Sequence, residues 1–220
     1  MADGSFAKFN SKNQAHIYLA TDLEMSLFPN HLSMFVDNNI VSPTINAELM
    51  SSELRQVVNV AIVDPKIVSQ LFEHVLPKEW KNSYLVEWRQ NIVSKVWLER
   101  FWQYLTFLTM NGNDKPETDF EQWPLVPCMG QRLCSLHTNT PCLLSHSGLS
   151  SDVITALAKL HCYVVDESEI TLNNKILSNN FPGGDAAGVL NALKQCIKNS
   201  QKSAADLFAI LSVDEKIALK

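Results

Sequence analysis

The chain has 220 residues, of which 46% are hydrophobic and 19% charged, and a net charge of -5. That is enough apolar material for a sizeable core and too much for a disordered chain. The densest basic cluster, Lys194, Lys198 and Lys202, is spread along one expected helix, so no positive footprint for nucleic acid is visible, and no apolar run nears the roughly 20 residues of a membrane span.

Residues 1–14 read as a polar, disordered lead-in without the apolar core of a signal peptide. His16 to Thr21 has strand-like residues, and Thr21-Asp22 is placed to cap a short helix over Leu23 to Phe28. Asn46 or Ser51-Ser52 opens a helical pattern through Leu49, Leu54, Val57, Val58, Ala61 and Ile62. Asp64-Pro65 is a strong helix start, and that helix stops at Pro77. The best helix runs from Ile92 to Leu108, with Val93, Trp97, Phe101, Tyr104, Leu105 and Leu108 on one face and Leu98 and Trp102 beside it.

Trp123-Pro124-Leu125-Val126-Pro127 is too proline-rich for a central strand. Short strands follow at Arg132 to Leu136, Cys142 to Leu144 and Cys162 to Asp166. Ser150, Asp185, Ser203 and Ser212 open the remaining helices. The expected fold is α+β: mainly helical, with a small mixed sheet in the second half. A helical region spans 15–127 and a small α/β region spans 128–220, packed on it or continuous with it.

Five cysteines, an odd number without a secretory signal, point to free thiols and a cytoplasmic setting. Cys128, Cys134, His137, Cys142 and His146 are zinc-ligand types in one segment, separated by five, two, four and three residues. Only Cys134 with His137 has the spacing with which compact zinc sites open. The competing reading makes Cys134 and Cys142 small apolar residues on strands and leaves the histidines at turns. No nucleophile elbow or cysteine-protease signature is present, and His146-Ser147-Gly148 lacks supporting pattern. Pro182-Gly183-Gly184-Asp185 has no P-loop spacing, and Asp185 would stand where a phosphate should sit, so it reads as a capped helix start. Trp97 shares helical spacing with Phe101 and Tyr104 and is expected in the core, whereas Trp80 and Trp88 are candidates for a partner surface. The carboxylates are scattered and offer no acid/base pair.

The ordered motifs LPKEW (76–80), WLERFWQYL (97–105), FEQWPLVP (120–127), LSSDVITALAKLHCYVVD (149–166) and FPGGDAAGVLNAL (181–193) resemble the repeated region of sacsin and sacsin-like proteins, over roughly residues 16–220. Leu160-His161-Cys162 departs from the family's usual glycine after leucine, which leaves a different turn geometry open there. The family's proteins are giant, multi-module and cytosolic, linked to chaperone systems and proteostasis. The resemblance implies a portion of one repeat without its Hsp90-like nucleotide site, and without ubiquitin-like, J-type or RING modules. On this reading the chain is a non-enzymatic, cofactor-free scaffold or co-chaperone-type module. Its partners are other modules of a larger chain, chaperones or client proteins, with no role for nucleic acid or membrane. The alternatives are a zinc-stabilised interaction module associated with ubiquitin ligation, and an enzyme of unrecognised type.

Overall fold

A computed structural model describes residues 1–3, 17–36, 51, 60–113, 115–137, 140–145, 149–200 and 203–219. Most of the lead-in, most of the helix expected from Asn46 or Ser51, and His146 with Ser147 and Gly148 lie outside the described residues. The fold is α+β and mainly helical. The chain divides into a unit of residues 1–75 and a unit of residues 76–220. The strand Pro124–Cys128 runs across the boundary expected between 127 and 128.

In the first unit, β1 (Ile17–Leu19) lies between β2 (Phe35–Val36) and β3 (Val60–Ile62), parallel to both. The sheets are thus not confined to the second half of the chain. Val60 to Ile62 was expected to end a helix, but its β-branched residues pair with Ile17, Tyr18 and Leu19 instead. Thr21 caps α1 (Asp22–Met25) through a reciprocal box in which its hydroxyl accepts from the Glu24 N–H and its own N–H donates to the Glu24 carboxylate. Asp64 caps α2 (Pro65–Leu71) by accepting from the Ile67 N–H. Phe28 packs on Phe35 and Phe72, and all three are fully buried. The Ala2 N–H donates to the Phe35 carbonyl.

In the second unit, Ser94 caps α3 (Lys95–Met110) by accepting from the Trp97 N–H. Leu98, Phe101, Trp102, Tyr104 and Leu105 of this helix are buried. Trp97 is buried too and stacks on Phe101 with ring centroids 6.1 Å apart. An antiparallel sheet joins β4 (Leu85–Glu87), β6 (Arg132–Ser135) and β5 (Pro124–Cys128), in that order. Pro124 and Pro127 are accommodated because β5 is an edge of this sheet, where a missing N–H breaks no ladder. The register skips Leu125, since Pro124 pairs with Ser135 and Val126 with Cys134. The Leu125 carbonyl accepts instead from the Trp102 indole N–H at 3.0 Å, which fastens α3 to the irregular strand.

Beyond the hairpin, β7 (Cys142–Leu143) pairs in parallel with β8 (Tyr163–Val164), with α4 (Ser151–Lys159) between them. Next come α5 (Asn174–Asn180), which the sequence pattern did not suggest, and α6 (Ala186–Ser200). Two short helices, α7 (Ala204–Ala209) and α8 (Val213–Ala218), follow. Each of the capping serines Ser150, Ser203 and Ser212 accepts from an N–H three residues on. The second core cluster of buried residues gathers Leu143, Ala156, Leu157, Leu160, Val164, Ala192, Leu193 and Leu207.

His161 has φ +60°, the left-handed conformation a glycine would take there at least cost. Its N–H donates to the Ala158 carbonyl and that of Cys162 to the Leu157 carbonyl, a complete Schellman end to α4. The turn is thus completed with a non-glycine residue strained in the left-handed region. His161→Gly is expected to raise unfolding stability by about 1 kcal/mol in urea titration, the opposite sign to an ordinary glycine substitution. Trp102→Phe keeps the ring packing but leaves the Leu125 carbonyl without its donor. It should cost about 2 kcal/mol in the same assay, and a loss under about 0.5 kcal/mol would show that this bond does not fasten the helix.

Candidate functional site

The sheet brings three of the proposed zinc ligands together. Cys128 ends β5, Cys134 lies in β6 diagonally across the hairpin, and Cys142 opens β7. Their sulfurs are 3.3 Å (128–134), 3.6 Å (128–142) and 3.7 Å (134–142) apart. All three are buried and none is in a disulfide. Among the described residues they are the group of metal-ligand side chains close enough to share one ion. His137 stands apart from them, edge-on to the Tyr84 ring with centroids 5.5 Å apart, and His146 lies outside the described residues.

Cys162 and Cys196 are buried as well. They were not tied to the cluster by spacing, yet the Cys196 thiol interacts directly with Cys162, which also feels Cys142 and Cys128. Burial pushes the Cys128, Cys134 and Cys142 thiols well above their ordinary pKa. The Cys196 thiol, and then burial, does the same to Cys162. Without a metal these are inert neutral thiols and not nucleophiles.

Cys128 also lines a surface cavity of about 300 Å³ with Trp88, Gln90, Gln131, Asp166 and Glu169. A second, polar recess of about 330 Å³ is lined by Asn82, Tyr84, Asp119, Glu121, Ser135 and His137, among others. Ser135, one of its lining residues, has its hydroxyl engaged with the Thr140 hydroxyl at 2.9 Å.

Trp80 and Trp88 do not form a partner surface. Trp80 is 6% exposed and Trp88 is 7% exposed, and the Trp88 indole N–H donates to the Val93 carbonyl at 2.8 Å. Trp80 ends a short 3₁₀ turn (Lys78–Trp80), and the Trp88 backbone N–H donates to the Gln131 carbonyl beside the sheet. At Pro182 to Asp185, the Asp185 carboxylate accepts from the Gly188 N–H at 2.7 Å, as an ordinary helix cap. A Cβ on Gly188 would fall 1.8 Å from the Gly183 carbonyl, so this turn is closed by close backbone approach and offers no cradle for an anion.

The apolar feature that spacing did not reveal lies on the helical face. A groove of about 420 Å³ runs between Leu149 and Val153, Val189, Leu190 and Leu193 of α6, and Leu219 beyond α8. Leu190 is 54% exposed and Ile217 is 59% exposed. Compared with protein-family models, with curated proteins and with solved structures, the chain has no match.

Thiol pKa values raised on folding give stability that is whole below about pH 8.5 and is lost as pH climbs toward the folded values. Each thiol that ionises only on unfolding then removes about 1.4 kcal/mol per pH unit. In reduced, chelator-treated protein the urea midpoint should fall more between about pH 8 and about pH 10 for wild type than for Cys142→Ala. Equal slopes would show that Cys142 is not held as a buried neutral thiol.

Proposed function

We propose that this chain is a non-catalytic interaction module of a sacsin-like scaffold, working in the cytoplasm by protein–protein contact with neighbouring modules, chaperones or client chains. The observation that carries the reading is the open apolar groove along α6, set in a unit whose five tryptophans are all buried. The residues behind the family resemblance, among them Trp80, Trp97, Trp102, Tyr104, Trp123 and Leu125, are all buried. That use of the motif residues supports a packing body in which the outer helical face is the place for a partner.

The groove's chemistry selects the occupant. α6 carries Lys194 and Lys198 and no acidic residue. Lys194 stands one turn on from Leu190, on the same side of the helix, and both lysines are exposed. An amphipathic helix that lays its apolar side into the groove and carries acidic residues along its flank satisfies both features.

The test uses the whole chain and a fluorescent amphipathic peptide with acidic flanks, read by anisotropy. Wild type should bind it, more weakly as salt rises. Leu190→Asp should weaken binding at least about tenfold while leaving the urea midpoint almost unmoved, because Leu190 is half exposed. Equal binding by the variant, no binding by wild type, or turnover of ATP by the purified chain would each end the reading.

A further inference from the structure

We propose that Cys128, Cys134 and Cys142 form a structural zinc site that ties the edge strand β5, the central strand β6 and the separate strand β7 together. Three observations converge on it. The first is distance. Two thiolates bound to zinc at about 2.3 Å in tetrahedral geometry lie about 3.8 Å apart, and the three sulfur separations here run from 3.3 to 3.7 Å. A single ion can touch all three with small outward shifts.

The second is ligand chemistry. The set is purely thiol, and soft sulfur ligands without carboxylates select zinc over magnesium or calcium. Three thiolates and Zn²⁺ leave one negative charge, and the three thiol protons leave to solvent. Arg132 stands opposite Cys128 in the hairpin and lays its guanidinium 5.6 Å from the centre of the Tyr163 ring. Residues directly opposite in a hairpin share a face, so a fixed cation stands on the side of the sheet that carries the thiols.

The third is access. Cys128 lines the cavity that also holds Asp166 and Glu169. Asp166 there offers a carboxylate that draws a divalent cation toward Cys128, while Glu169 is paired with Lys95 at 3.3 Å, and water in the cavity can complete the coordination of a three-ligand site. A packing-only role for the thiols needs neither the opening nor the carboxylate.

The experiment starts from the full chain purified without chelator in a non-thiol reductant. Metal analysis should find about one zinc per chain, and cobalt exchanged into the site should give a thiolate-to-metal charge-transfer band. Stripping the zinc should lower Tm by about 5 °C or more, with recovery on adding zinc alone. Cys134→Ser and Cys142→Ser should lose the metal, whereas Cys196→Ser should keep it. Since a buried serine can itself unfold the chain, wild type carries the decisive arm. Folded wild type with all five thiols reactive in urea, but with no zinc and no cobalt band, overturns the proposal, as does full zinc retention in Cys134→Ser. Peptide binding in the α6 groove is read separately, so failure of one reading leaves the other standing.

Discussion

The hydrogen bond from the Trp102 indole to the Leu125 carbonyl is the constraint on which the larger unit is organised. The edge strand β5, with prolines at positions 124 and 127, pairs along β6 with one irregularity, between Pro124 and Val126. The skipped register at Leu125 frees a carbonyl that would be costly to bury unpaired. Trp102 supplies the donor from the middle of the longest described helix. The same ring is fully buried against its neighbours, so polar satisfaction and apolar packing act at one residue. With β5 held in this way, Val126 and Cys128 take their places opposite Cys134 and Arg132, and the thiol cluster follows from strand register.

Burying three thiols side by side has two stable chemical outcomes. As neutral groups they pack like small apolar side chains, and desolvation opposes their ionisation. As thiolates they require a cation among them, since three buried negative charges without one would be far costlier than the packing they replace. The choice between these states depends on metal supply and pH, and the fold is compatible with both because the sulfurs barely need to move.

Local signals were legible because they act over three or four residues. Thr21, Asp64, Ser150, Ser203 and Ser212 each cap a helix through their own side chain, whereas the long helix expected from Ile92 begins at Lys95, capped by Ser94. The proline-rich segment was readable as no central strand for the same reason. Val60 to Ile62 failed because three β-branched or small residues fit a helical period and a strand equally well, and parallel pairing with β1 decided between them. Helix α5 has only Ile176 and Leu177 to bury, too few for a periodic pattern. Trp80 and Trp88 sit in turns, and sequence spacing cannot tell a turn that folds inward from one that faces solvent. The ligand set was half legible. The residue types were visible, but a spacing test built for ligands on one loop passes over a site assembled from three strands, and it favoured His137, which points to a different recess.

The two-residue strand β7 links the thiol cluster to the helical face. Successive residues in a strand point to opposite sides. Cys142 points to Cys128 and Cys134, and Leu143 points into the cluster formed with Leu157, Leu160 and Leu193. Leu193 belongs both to that cluster and to the lining of the groove along α6. The position of α6 therefore depends on how firmly β7 is held. So short a strand has little ladder of its own, with two register pairs to β8 and one further bridge at Leu144 to Gly183. A metal held between Cys142 and the hairpin of β5 and β6 would add a restraint to the backbone bonds it already has. Any force that loosens the sulfur cluster would then be felt first at the groove, through Leu143 and Leu193, before it reached the aromatic core around Trp102.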